Sequence, residues 1–146
     1  LGRDDDWMLV ALDECIGREL GYLNISSAGH TVSTAASLPL RSAGYPNGHQ
    51  AQLVIDPSCK VWTELGKEWL HDCSTFPGDS GGPLFREVSA GGRIELCLLG
   101  MITSGWSERE KGVFYSNRAT KVSYLADRLE QYVGSDLRRL PNQKCD

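Results

Sequence analysis

The chain has 146 residues, 40% of them apolar, with a formal net charge of −4 and an isoelectric point near 5.4. That length suits one domain burying about two-thirds of the surface its unfolded chain would expose, and an acidic balance offers no field to hold nucleic acid or an anionic membrane. With no apolar run of about 18 residues and no charged-then-apolar leader, neither a membrane span nor a signal peptide is expected. Leu1 is not an initiator methionine, so a mature or cleaved product is the expectation.

Residues 4–12 set an acidic cluster, Asp4-Asp5-Asp6, directly before the apolar run Trp7 to Leu12, which reads as a buried strand opening at a carboxylate. Residues 13–35 are turn-rich, broken at Gly17, Gly21 and Gly29, and read as a connection. Asn24-Ile25-Ser26 fits a glycosylation sequon, a three-residue match too common by chance to carry weight. Residues 36–46 and Gln50 to Ile55 read as strands joined by the Pro46-Asn47-Gly48 turn, with Asp56-Pro57 ending the second. Lys60 to Leu65 and Trp69 to Cys73 read as a hairpin around Gly66-Lys67, and the strand Ile94 to Thr103 follows a turn at Gly91-Gly92. From Ala119 to Val133 the period becomes helical, with Val122, Leu125, Leu129, Tyr132 and Val133 on one face and Gly134 as a stop. The tail to Asp146 is polar and reads as loose unless Cys145 is bridged.

Five cysteines in a chain this size suit an oxidising compartment, hence secretion or the periplasm. The C-x-x-C spacings of zinc or redox sites are absent, so neither a metal nor a cofactor is expected. Cys59 and Cys73 flank the second hairpin and are the first choice for a disulfide, small buried thiols being the alternative. Cys15, Cys97 and Cys145 remain as an odd set.

Chemistry concentrates in Cys73-Ser-Thr-Phe-Pro-Gly-Asp-Ser-Gly-Gly-Pro-Leu-Phe85. Gly78, Gly81 and Gly82 allow positive φ and close backbone approach around Ser80. In such a turn the N–H groups of Gly78 and Ser80 can converge on one point and stabilise an oxyanion, a contribution of about 3–4 kcal/mol per donor in measured cases. Gly78 to Gly82 also satisfies the G-x-S-x-G pattern of α/β-hydrolases. That elbow needs a helix after the serine and a histidine downstream. Gly81-Gly82-Pro83 opens a helix poorly, and no histidine follows Ser80.

The six residues Gly78-Asp79-Ser80-Gly81-Gly82-Pro83 resemble instead the nucleophile motif of trypsin/chymotrypsin-like serine proteases. Ala43-Gly44-Tyr45-Pro46, then a cysteine, then Leu70-His71-Asp72-Cys73 is similar to the bacterial trypsin-like and glutamyl-endopeptidase-like branch. The resemblance implies an all-β fold, an antiparallel Greek-key β-barrel closed by a C-terminal helix. Residues 1–14 would be the last strand of an N-terminal barrel, 15–35 the connection, 36–118 the C-terminal barrel, 119–134 the helix and 135–146 a tail. It makes Ser80 the nucleophile and Asp6 the triad acid, although Met8 stands where the family has a small residue. It likewise implies that Thr103, Ser104 and Gly105 bind the substrate backbone by strand addition, with Lys111 to Tyr115 as the barrel's closing strand. Ser74, six residues before Ser80, would floor the specificity pocket. A serine there does not suit cleavage after Lys or Arg, and Ile102-Thr103-Ser104 lacks the histidine of glutamyl-specific relatives, so an apolar or small side chain is expected. Asp79 would pair with a freed amine after activation, or else brace the turn.

A serine hydroxyl needs a base. The family's histidine lies well upstream of its aspartate, and only five residues precede Asp6, so neither His30, His49 nor His71 takes that place. The order Asp6, His30, Ser80 imitates subtilisin, whose larger α/β fold does not suit a chain with so little helical periodicity. His71 reads as scaffold. The expectation is therefore a serine endopeptidase acting on protein or peptide substrates, with the histidine supplied by an N-terminal barrel chain of the same precursor. This chain alone would be inactive, as subtilisin without its histidine loses roughly 10⁶ in kcat. A non-catalytic protease homologue serving as a binding or regulatory module is the alternative.

Overall fold

The computed structural model of the protein describes residues 7, 8, 10, 12, 13, 16–25, 39–48, 52–105 and 117–133. Their elements are a helical turn α1 (Gly17–Leu20) and strands β1 (Asn24–Ile25), β2 (Leu40–Gly44), β3 (Val54–Cys59) and β4 (Val61–Leu65), then β5 (Glu68–His71), β6 (Pro83–Ala90), β7 (Arg93–Gly105), β8 (Asn117–Lys121) and the helix α2 (Val122–Val133). The eight strands form one sheet in the order β3-β2-β6-β7-β8-β5-β4, antiparallel throughout except that β1 lies parallel on β7 at Asn24↔Cys97 and Ile25↔Leu98. The sheet curls into a half-barrel, an all-β architecture as the sequence implies. Its two terminal strands, β3 and β4, are neighbours in the chain, separated by Lys60 alone.

Turn chemistry fixes the hairpins. Gly91 and Gly92 join β6 to β7 with φ of 58° and 78°, the pair of positive angles that a two-residue type I′ turn requires. Gly66 has φ 59° at the first position of the β4–β5 loop, where a type II′ turn needs it. Inside the curl, Leu40, Val61, Trp69, Leu84, Leu99 and Ala119 pack with the half-cystines Cys59 and Cys73, which form the expected disulfide. Cys97 is disulfide-bonded as well. Asn24, of the sequon, is buried and its Nδ2 donates to Glu95 Oε2 at 3.3 Å.

Two expectations are corrected. The strand expected to stop before Asp56-Pro57 instead runs through both to Cys59. Leu40 faces Cys59 while Ser42 faces Asp56, so Arg41 opposes both Pro57 and Ser58, and the proline sits in a bulge where its missing N–H costs no ladder bond. The helix begins at Val122, not Ala119, because Ala119 and Thr120 are buried between β5 and β7 and their pairing overrides local propensity. Lys121 N donates to Lys67 O at 2.9 Å as the strand turns into α2, and the Tyr124 ring lies between the Lys67 ammonium and the Arg128 guanidinium, 5.2 and 5.5 Å from its centroid.

The strand expected over Trp7 to Leu12 falls on a segment in which Leu9 and Ala11 lie outside the described residues. Of the described ones, Met8, Val10 and Leu12 are 81%, 58% and 62% exposed. A strand needs a neighbour to take up its backbone groups, and no described strand pairs with this segment. No helix of the described residues is long and apolar enough to cross a membrane. Residues 36–38, 50, 51, 111–115 and 135–146, on which other expectations fall, lie outside the described residues.

Candidate active site

Between the end of β5 at His71 and the start of β6 at Pro83, residues 72–82 run without a ladder, and individual bonds hold their backbone. At its root, Lys60 N donates to Asp72 Oδ1 at 2.6 Å and Asp72 N to Lys60 O at 3.1 Å. The Cys59–Cys73 disulfide follows. Asn117 Nδ2 donates to Cys73 O at 2.6 Å, and Ser74 N donates to Asp56 Oδ2 at 2.6 Å. Farther on, Asn47 N donates to Pro77 O at 2.7 Å, Asp79 N to Phe76 O at 3.0 Å and Gly82 N to Asp79 O at 2.9 Å. Gly81 N donates to Ile102 O at 2.7 Å and Ile102 N to Gly82 O at 2.8 Å, which docks the loop against β7.

The N–H groups of Gly78 and Ser80 donate to no described residue, and both residues are exposed. They stand apart from neighbours whose N–H groups are engaged, which is the condition for two donors to serve an incoming oxyanion. Gly78 takes φ +106° and Gly81 +86°, angles that L side chains avoid. A Cβ at Gly78 would also lie 2.7 Å from Asn47 N, and one at Gly82 would overlap Ala43 O and sit 2.8 Å from Asp79 O. Loop conformation and close packing both demand these glycines.

Asp79 is buried, 6% exposed, and its Oδ2 accepts from Phe76 N at 2.8 Å, bracing the turn. Its Oδ1 has no hydrogen-bond partner among the described residues and lies against Gly44, where a Cβ would overlap it. A buried carboxylate oxygen left this way is costly unless a donor meets it.

β6 begins opposite Met101, and Ile102 bonds to Gly81 and Gly82; beyond that point β7 has β8 along its other edge and no described strand on the Ser80 side. Thr103, Ser104 and Gly105 occupy that stretch. Thr103 Oγ1 donates to Arg118 O at 3.3 Å, Ser104 faces Arg118 and is exposed, and Gly105 faces Asn117. Asn117 thus spans from the Gly105 pair to the Cys73 carbonyl, linking the strand to the root of the Ser74 segment.

Asp6, His30 and His49 lie outside the described residues. His71 is fully buried on β5, with neither ring nitrogen hydrogen-bonded among the described residues by ordinary geometry. Desolvation lowers its pKa from 6.5 to about 4, although the Arg118 backbone and the carboxylates of Asp72 and Asp56 favour its charged form. The imidazole is therefore neutral and enclosed at neutral pH.

Asp56 and Asn117 have no counterpart in the sequence reading. Short Asx side chains readily bond nearby backbone, but these partners lie 18 and 44 positions away, so no local spacing exposes them. Neither a protein-family model nor a curated protein matches the chain.

Proposed function

We propose that this chain is the nucleophile-bearing part of a serine endopeptidase of the trypsin/chymotrypsin-like class. The observation that carries the reading is the Gly78–Pro83 turn, with Gly78 at φ +106° and the N–H groups of Gly78 and Ser80 unengaged by any described residue, beside an exposed serine. In this reading Ser80 Oγ attacks the scissile carbonyl as the histidine from the other barrel takes its proton, and those two N–H groups hold the oxyanion of the tetrahedral intermediate. The C–N bond then breaks, the amine leaves with that proton, and water hydrolyses the acyl-enzyme that remains. Thr103 to Gly105 receive the substrate backbone along the open edge of β7, and Ser74 floors the pocket for a small or apolar side chain.

The strand order supports the architecture. With only Lys60 between β3 and β4, the order read as a ring is one bent strand followed by β2, β6, β7, β8 and β5, returning to the bent strand. That arrangement suits a closed Greek-key barrel with α2 packed outside it. The base and acid come from elsewhere: Asp6 from the segment before Trp7, the histidine from an N-terminal barrel. The exposed Met8, Val10 and Leu12 suit a strand completed by that barrel. A disulfide-bonded chain of this kind suits a secreted or periplasmic location.

The test is labelling by a fluorophosphonate probe of the protein expressed from its complete reading frame, with Ser80→Ala as control. Probe mass on Ser80, abolished by the substitution, supports the protease. A folded protein that contains the upstream segment and refuses the probe overturns it in favour of the non-catalytic homologue.

A further inference from the structure

The Cys73 carbonyl and the Ser74 N–H belong to one peptide group, and each end of it is gripped by a side chain from a different strand. Asn117 of β8 donates to the oxygen and Asp56 of β3 accepts from the nitrogen, both at 2.6 Å. Few ways of rotating a peptide plane survive when both of its polar ends are fixed. The Asp56 bond is made to a carboxylate oxygen, and the Asn117 bond is partly buried. Asp56 is itself held, since its Oδ1 accepts from Ser58 N at 3.1 Å within the bulge around Pro57. Asn117 is held by the ladder, facing Gly105 on one side and His71 on the other.

The gripped peptide stands at a junction. Upstream the disulfide pins Cys73 to Cys59; downstream lies the unladdered stretch carrying Gly78 and Ser80. The disulfide fixes where Cys73 sits but leaves the plane of the following peptide free to turn. Ser74 begins at that plane, and Gly105 is tied to the same Asn117, so one clamp sets the separation between the Ser74 segment and the end of β7.

We infer that Asp56 and Asn117 are positioning residues for substrate selection, fixing the Cys73–Ser74 peptide and with it the gap between Ser74 and Gly105 in which the substrate side chain is held. The inference rests on the protease reading. The nucleophile is docked separately, through Gly81 and Gly82 on Ile102, so loosening the clamp disturbs recognition of the substrate side chain more than the reactivity of Ser80.

The experiment uses the protein expressed from its complete reading frame, with Asp56→Ala, Asn117→Ala and the conservative Asp56→Asn, whose amide oxygen still accepts from Ser74 N. Peptide substrates differing only in the side chain before the scissile bond give KM and kcat, and a fluorophosphonate without such a side chain gives the reactivity of Ser80. The two alanine variants are expected to raise KM by about tenfold for the preferred substrate and to flatten the ranking among side chains. Their kcat and probe labelling stay within about threefold of wild type, and Asp56→Asn recovers most of the loss. Unchanged KM and ranking overturn the inference, as does a parallel fall of KM-dependent rate, kcat and labelling that tracks lost stability. Amide exchange keeps the two readings apart. If the wild-type protein neither labels nor cleaves, the protease reading fails and the selection role falls with it. Faster exchange of the Ser74 amide in Asp56→Ala then still reports the clamp, and unchanged exchange removes that too.

Discussion

His71 makes acid stability a direct test of how the barrel is packed. The imidazole is fully buried on β5, in register with Val61 and Asn117, has no hydrogen-bond partner among the described residues, and is held neutral chiefly by desolvation, which lowers its pKa from 6.5 to about 4. Above pH 6.5 the folded and unfolded chains both carry it neutral, and it adds no pH dependence. Between 6.5 and about 4 the unfolded chain binds a proton that the folded chain refuses, so stability falls as the pH is lowered. Below about 4 both states are charged at this site and the loss stops growing. At about 1.4 kcal/mol per pH unit the loss across that window is about 3 kcal/mol. That is a large share of the roughly 5–15 kcal/mol that separates a folded domain from its unfolded chain.

The assay is urea denaturation at a series of pH values from 7.5 to 5, above the range where carboxylates titrate in bulk. Wild-type stability is expected to fall by about 2 kcal/mol over that span, and His71→Gln to be nearly flat whatever its starting stability. The slope is the readout, so a variant that is weaker at neutral pH is still informative. Parallel profiles for the two proteins would refute the reasoning, because they would mean that the acid response comes from groups other than this histidine.

Three further outcomes follow from the same geometry. Gly82→Ala places a Cβ against the backbone oxygens of Ala43 and Asp79, neither of which can swing aside, and is expected to cost about 1–3 kcal/mol in urea denaturation. Replacing both Cys59 and Cys73 by alanine reopens a loop of 14 residues and is expected to cost about 3 kcal/mol, while the buried native bond should resist mild reductant until the protein unfolds. Arg41→Ala removes an exposed ion pair to Glu87, 2.8 Å long, and is expected to change stability by less than about 1 kcal/mol, with any effect fading in high salt.

The sequence was most informative where structure is local. Gly66-Lys67 and Gly91-Gly92 announce their turns because positive φ is a property of the residue itself, and the disulfide follows from two cysteines flanking a hairpin. The Gly78–Pro83 turn was legible for the same reason where positive φ at Gly78 and Gly81 requires glycine. Long-range pairing was not legible. Pro57 signals a strand end until the bulge opposite Arg41 accommodates it, and Ala119 and Thr120 suit a helix until β5 and β7 take their backbone groups. The β1 pairing at Asn24 and Ile25, two residues on a strand end, leaves no periodicity to read. Asp56 and Asn117 belong with these, since their bonds become visible only once strands far apart in the chain are side by side.

The packing separates what folds the chain from what would make it act. Every member of the core cluster lies between Leu40 and Ala119, and none of the described residues among 7–23 belongs to it. Trp69 is thus buried by residues of the described strands and the disulfide. Yet the exposed apolar side chains of Met8, Val10, Leu12 and Leu20 are large, and four such groups on one short stretch are more than a solvated connection needs. Burying them takes a surface other than the described strands, and in the proposed protease reading that surface carries the acid and the base for Ser80. Loss of activity through changes in residues 7–20 should consequently leave the unfolding midpoint of the barrel almost unmoved, whereas changes at Trp69 or Leu99 should shift it by several kcal/mol whether or not Ser80 can react. A midpoint that instead follows the apolar residues of the first segment would show that this segment and the half-barrel fold as one unit.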